Sequence, residues 1–265
     1  MLPWFQEDPL HAHIGFDLHG IVIHKVAVLD GLVRGVAVDN LPEESQERIE
    51  QLLDIRGGKD MPCYDNDRMG NCVIAGRAHQ QRIFEMAEHN GRDPHITTEE
   101  VVTQYLRESG GVDSGLYVRE SLGVWRKDGW IAGGKREHCS AYAAVNWRDR
   151  AAVMRAVFTC NGLGVGFLLP ETAMDQFDRG QVWTYQRGSP PNPYMGHYVY
   201  VCGYTPYCIY LVTWGRVVKA SWRFLAEYAD EAFSVIDLRE TGRRVGIDTD
   251  ALAEYLATRS PVVAT

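Results

Sequence analysis

From Cys72 to His89, apolar residues (Val73, Ala75, Ala78, Ile83, Met86, Ala87) recur at near-helical spacing and Asn90-Gly91 follows, so the pattern predicts a helix that opens at Cys72. Thr97-Thr98-Glu99-Glu100 predicts a capping box starting a second helix, which runs through Arg107 and closes at Gly110-Gly111. Residues 110–134 read as a glycine-rich middle, and 148–160 as a helix. The period then changes to alternation, predicting strands at 163–169, 180–185, 197–204 and 208–214. A helix near 220–229, a strand at 233–237 and a helix near 247–257 complete the chain. Ahead of Cys72, residues 14–38 alternate around Gly20 and Asp30-Gly31 as strands joined by tight turns. Pro42 to Arg56 forms a short helix with Ile49, Leu52 and Leu53 on one side and Gly57-Gly58 as its stop, and 59–71 is a loop of turn formers. Helices cluster around Cys72 and strands around His197, which predicts an α+β chain with two lobes.

Composition narrows the functions this pattern can serve. With 265 residues, 45% hydrophobic and 23% charged, the chain has ample length to bury a core. A net charge of −8 and the absence of a long basic run argue against nucleic acid as a partner. The most apolar early stretch, Ile21 to Val38, is broken by His24, Lys25, Asp30 and Arg34, so no membrane span is expected. Met1 to Asp8 lacks a basic start and a continuous apolar core, which makes a cytoplasmic product the expectation. The six cysteines (Cys63, Cys72, Cys139, Cys160, Cys202, Cys208) are too sparse for a disulfide scaffold and contain no CxxC pair.

One cysteine stands out. Asp67-Arg68-Met69-Gly70-Asn71-Cys72 delivers a thiol to the start of a helix straight after a loop, where the helix dipole favours a thiolate. Unpaired N–H groups there also suit an oxyanion. A cysteine nucleophile needs a base, and among nine histidines His197 fits best, at the mouth of a strand behind a Pro/Gly/Asn loop. A hairpin of 197–204 and 208–214 brings Thr213 beside His197 to orient its ring, with Trp214 to shield the contact from water.

Three stretches, in their order and spacing, resemble the papain-like cysteine peptidases. They are the helix-opening Cys72, then Gly196-His197-Tyr198-Val199-Tyr200-Val201-Cys202-Gly203-Tyr204, then Trp214-Gly215. His197 follows Cys72 by 125 positions, against about 130–150 in papain and cathepsins. Trp222-Arg223-Phe224 and Tyr228 also look like the family's closing strand region, so the resemblance covers roughly residues 60–237. It implies a two-lobed papain-like fold, a helical lobe carrying Cys72 and a strand-rich, barrel-like lobe carrying His197. It further implies acyl transfer from a peptide or amide substrate through a Cys72 thioester, with His197 as base and acid and no cofactor. The nucleophile signature Cys-Gly-Ser/Ala-Cys-Trp/Tyr is replaced by Gly70-Asn71-Cys72-Val73. The family's oxyanion glutamine corresponds to Asn66, and its histidine-orienting asparagine to Thr213. These departures point to a divergent bacterial or phage branch. Two other readings stay open: an acyltransferase on the same site, and a binding or virion protein that kept the fold and lost turnover.

Residues 1–59 read as an extension packed on the body, with a cleft-covering propeptide as the alternative, and 60–265 as the peptidase domain. His11 and His13, with His19 and His24, read as surface histidines rather than a metal site, since neither HExxH nor a carboxylate partner accompanies them. Gly162-Leu163-Gly164-Val165-Gly166 lacks a following Lys-Ser/Thr and helix, so no phosphate cradle is expected. Trp125, Trp130, Trp147, Trp183, Trp214 and Trp222 read as core or cleft wall. Asp230-Glu231 and Asp237 read as a solvated edge.

Overall fold

The computed structural model describes residues 61–88 and 93–237. The extension 1–59, the histidines at 11–24, the helix at 42–56, the Asn90-Gly91 stop and the helix at 247–257 therefore lie outside the described residues.

Three helices come first. Helix α1 spans Cys72–Glu88, α2 Thr98–Glu108 and α3 Val118–Lys127. Helix α2 opens on the expected capping box, with the Thr97 side chain accepting from Glu100 N–H and the Glu100 side chain returning to Thr97 N–H. Helix α3 lies inside the stretch read as a glycine-rich middle, so that expectation is corrected. Gly110, Gly111, Gly115, Gly129, Gly133 and Gly134 flank it with positive φ, Gly123 lies within it, and its Val118, Ser121, Leu122 and Trp125 form one buried face. A small hairpin follows, β1 (Trp130–Ala132) against β2 (Lys135–Glu137).

The second part builds one antiparallel sheet from β3 (Ala141–Ala144), β4 (Leu163–Leu168), β5 (Gly196–Tyr204), β6 (Cys208–Thr213), β7 (Arg216–Ser221) and β8 (Ala229–Ile236). Their order is β3-β8-β4-β5-β6-β7, so the last strand inserts between the first two. Helices α4 (Arg150–Thr159), α5 (Glu171–Asp178) and α6 (Trp222–Tyr228) punctuate these strands. The architecture is α+β. The predicted strand at 180–185 is not one: only Trp183 bridges, to Ala220. The Gln176 side chain takes the place of a partner strand, accepting from Thr184 N–H at 2.9 Å and donating to its hydroxyl at 3.0 Å. Trp222 to Tyr228 is helical, as the pattern near 220–229 predicts and against its likeness to a closing strand region, and the strand begins at Ala229.

Alternation sorts the sheet's side chains to two cores. Tyr198, Phe233 and Val235 face Val73, Ile74, Ala75 and Ala78 of α1. Leu163, Val165, Phe167, Val199 and Val201 face Val153 and Val157 of α4 and Phe224 and Leu225 of α6. Each fully buried Val, Leu or Phe stabilises the fold by about 1.5–3 kcal/mol. Trp125, Trp130 and Trp183 are fully buried, while Trp147, Trp214 and Trp222 are partly buried around the second core. Among the described residues no helix is long and apolar enough to cross a membrane.

Candidate active site

The turn before Cys72 is held by side-chain amides. Tyr64 and Asp65 both adopt the left-handed conformation, and the chain then doubles back. Asn71 is fully buried and its amide donates to the Tyr64 carbonyl at 2.8 Å. The Asn66 amide donates to Asn71 Oδ1 at 2.9 Å and lies 3.5 Å from the Met69 carbonyl. The Asn71 carbonyl accepts from both Ile74 and Ala75 N–H, which makes Cys72 the first residue of the helix. A second tether comes from 43 residues away: Asp113 Oδ1 accepts from Gly70 N–H at 2.9 Å and from the buried Tyr105 hydroxyl at 2.5 Å. The same hydroxyl accepts from Gly115 N–H at 3.0 Å. These bonds hold the Asp113 carboxyl below its ordinary range.

The Cys72 sulfur is met by the backbone N–H groups of Cys72, Val73 and Tyr198, all of which favour the thiolate. Burial outweighs them, with the Glu231 carboxylate adding to it, and the thiol is pushed up. A helix end and a nearby histidine favour the thiolate, but the cost of taking sulfur charge out of water is larger here. All six cysteines are free.

His197 is the second residue of β5, opposite Phe167, directly before the Tyr198 N–H that meets the sulfur. Its Nε2 lies 2.6 Å from Thr213 Oγ1, as the hairpin argument required. The β6–β7 connection is a two-residue turn, Trp214-Gly215, with positive φ at both positions. A non-glycine there costs about 1–3 kcal/mol of strain. The turn lays the Trp214 ring on His197, centroids 4.2 Å apart and planes 19° apart. Burial lowers the imidazole to about 3, so the ring is neutral at physiological pH, with Nδ1 left for proton exchange.

On the opposite face of the sheet, Tyr198 and Glu231 flank β4. A Cβ at Gly76 would sit 2.8 Å from the Tyr198 ring, and one at Gly164 would overlap its hydroxyl. A Cβ at Gly166 would meet Glu231 Cγ at 2.7 Å and Asp230 Oδ1 at 3.0 Å. The spaced glycines therefore make room for a phenol and for carboxylates. Asp237 is 1% exposed and Glu231 is partly buried, which corrects the solvated-edge reading for both; Asp230 is exposed. The misreading came from composition, because a β-bulge that turns a carboxylate inward has no local sequence signature. Among the described residues no group of three His, Cys, Asp or Glu is placed to hold a metal ion.

No protein-family model matches the chain, and no curated protein matches it in sequence. Among solved structures it is similar to xylellain, a cysteine protease from Xylella fastidiosa. The TM-score is 0.48 at 13% identity, over 63% of this chain and 80% of that one. It is also similar to the Carica candamarcensis cysteine protease CMS1MS2, solved in complex with E-64. There the TM-score is 0.44 at 13% identity, over 64% of this chain and 89% of that one.

Proposed function

We propose that this chain is a papain-like cysteine hydrolase acting on peptide or amide bonds. The observation that carries this reading is the imidazole fixed by Thr213 and covered by Trp214, one residue before the N–H that meets the Cys72 sulfur. Cys72 attacks the carbonyl carbon; the S–C bond forms as the thiol proton passes to His197 Nδ1. The oxyanion is taken by the Cys72 N–H and by the Asn66 amide, which keeps its bond to Asn71 and gives up its long 3.5 Å bond to the Met69 carbonyl to reach the oxyanion. His197 returns the proton to the leaving amine, the C–N bond breaks, and a thioester remains. Water, deprotonated by His197, then releases the acid and restores the thiol. With thiol and imidazole both neutral at rest, His197 acts as a general base during attack, so no standing ion pair is required.

Labelling with an iodoacetamide-type probe and peptide mapping tests this reading. Cys72 is expected to label ahead of Cys63 and Cys208, the other partly exposed thiols, and His197→Ala to slow Cys72 alone. Equal labelling of the three, unchanged by His197→Ala, overturns it. Burial of both partners favours a second reading, a binding protein that retains the fold with weak or lost turnover. An acyltransferase on the same site is distinguished by product analysis with and without an added amine.

A further inference from the structure

The loop between Trp183 and β5 contains a segment that the proposed reaction does not use: Arg187-Gly188-Ser189-Pro190-Pro191-Asn192-Pro193-Tyr194. A proline holds φ at about −65°, and the residue ahead of a proline is pushed to an extended ψ. Ser189, Pro190 and Asn192 each stand ahead of a proline, so the sequence favours polyproline II from Ser189 to Asn192. In the structure these residues belong to no helix, strand or turn, and the Pro190 and Pro191 carbonyls accept no hydrogen bond among the described residues.

The segment is fastened at both ends. The hydroxyl of the buried Tyr228 donates to the Ser189 carbonyl at 2.8 Å, and Ser189 Oγ lies 3.0 Å from Thr172 Oγ1 on α5. At the far end the Asn192 carbonyl accepts from Met195 N–H at 3.1 Å, and Asn192 Oδ1 from Tyr194 N–H at 3.0 Å. Between these anchors the prolines are on the surface. Pro190, Pro191 and Pro193 are exposed, and Tyr194 is 95% exposed. Pro190 and Pro191 border a cavity of about 340 Å³ shared with Tyr185, Glu227 and Tyr228, so they fill no core. Arg187 is exposed too, and it forms no hydrogen bond or ion pair among the described residues.

We propose that Arg187 to Tyr194 is a docking strap for a protein partner whose groove is lined by aromatic side chains and carries a carboxylate at one end, the surface an SH3 domain presents. In polyproline II three residues make a turn of about 9 Å, so Pro190 and Pro193 share one edge and can seat in adjacent slots between aromatic rings. Arg187 stands three residues before Pro190, set off by Gly188 at φ +84°. Its guanidinium pairs with the partner's carboxylate and fixes the direction in which the strap is read. Because the body of the protein already holds the strap extended, little ordering cost remains at binding. Stiffening the approach to His197 would need the prolines alone and has no use for an unpaired arginine at this spacing. The docking is independent of Cys72.

A panel of purified SH3 domains, titrated against the immobilised full chain, tests the strap. The Cys72→Ser chain is run beside the parent, so that cleavage of a probe is not read as failure to bind, and a domain that binds should bind both alike. At least one domain is expected to bind saturably. For that domain, Pro190→Ala combined with Pro193→Ala should weaken binding by about tenfold or more, Arg187→Glu should do the same, and Arg187→Lys should retain most of the affinity. Arg187→Glu keeps all three prolines and replaces a side chain that pairs with nothing, so its result stands even if the proline variant fails to fold. A panel with no saturable binder overturns the strap, as does binding that survives either variant. Neither result bears on Cys72, whose role is judged by alkylation.

Discussion

Thr213 places its hydroxyl 2.6 Å from His197 Nε2. If that bond sets the tautomer, Thr213→Val keeps the shape and removes the partner. Loss of a buried hydrogen bond costs on the order of 1–3 kcal/mol, so single-turnover acylation of Cys72 should fall roughly tenfold to a hundredfold with little change in melting temperature. Thr213→Asn should retain activity. A Thr213→Val protein that acylates at the parent rate would reduce Thr213 to packing. Asp113 makes a different kind of contribution: it is exposed, yet it fastens the amide two residues before Cys72. Asp113→Ala should raise hydrogen exchange at the Gly70 amide about tenfold while the melting curve barely moves. Asp113→Asn, which keeps an acceptor, should restore most of the protection. Unchanged exchange in Asp113→Ala would show that Gly70 is held by the amide chain of Asn66 and Asn71 alone.

At the level of elements, signals confined to a few residues were legible in the sequence. The capping box at Thr97 is one, and Thr97→Ala should cost about 1 kcal/mol, read as a lower denaturation midpoint. The helix opening at Cys72 and the hairpin that pairs Tyr200 with Val212 were legible for the same reason, since spacing and turn chemistry are local. What stayed hidden depends on distant partners. Trp183-Thr184-Tyr185 has strand composition, but Gln176 satisfies Thr184 in place of a ladder. Helix α5 starts behind Pro170 with no side-chain cap to announce it. The glycines at 164 and 166 were legible as a pattern but not as a cause, because the Tyr198 hydroxyl and the Glu231 side chain come from other strands. In the candidate site, Cys72, His197 and Thr213 were found by order and spacing. The placement of Asp113, Tyr198 and Glu231 near Cys72 had no local signal, because it arises from register and burial.

Across the whole molecule, two buried titrations pull stability in opposite directions with pH. The His197 imidazole is lowered from 6.5 to about 3, so the unfolded chain binds the extra proton and stability falls as pH drops through that window. The Glu231 carboxyl is raised from 4.5 to about 7, so the folded chain holds the extra proton and stability falls as pH rises from 4.5 to 7. Between pH 4.5 and 6.5 the two offset each other, and in that range the parent curve alone does not separate them. Glu231→Gln removes one of them: its stability relative to the parent should be level below pH 4.5 and climb by on the order of 1–3 kcal/mol by pH 8. A difference that stays flat across this range would place Glu231 in solvent. The sheet order also has a consequence for how the chain matures on the ribosome. Translation delivers Cys72 long before His197, and the strand that closes the sheet, β8, belongs between β3 and β4, both made well before it. Until Ala229–Ile236 emerges, β3 lacks its neighbour, β4 lacks one of its two, and Glu231 has not arrived beside the sulfur. The surroundings of Cys72 are thus completed only when the last strand of the sheet is made, long after the cysteine itself.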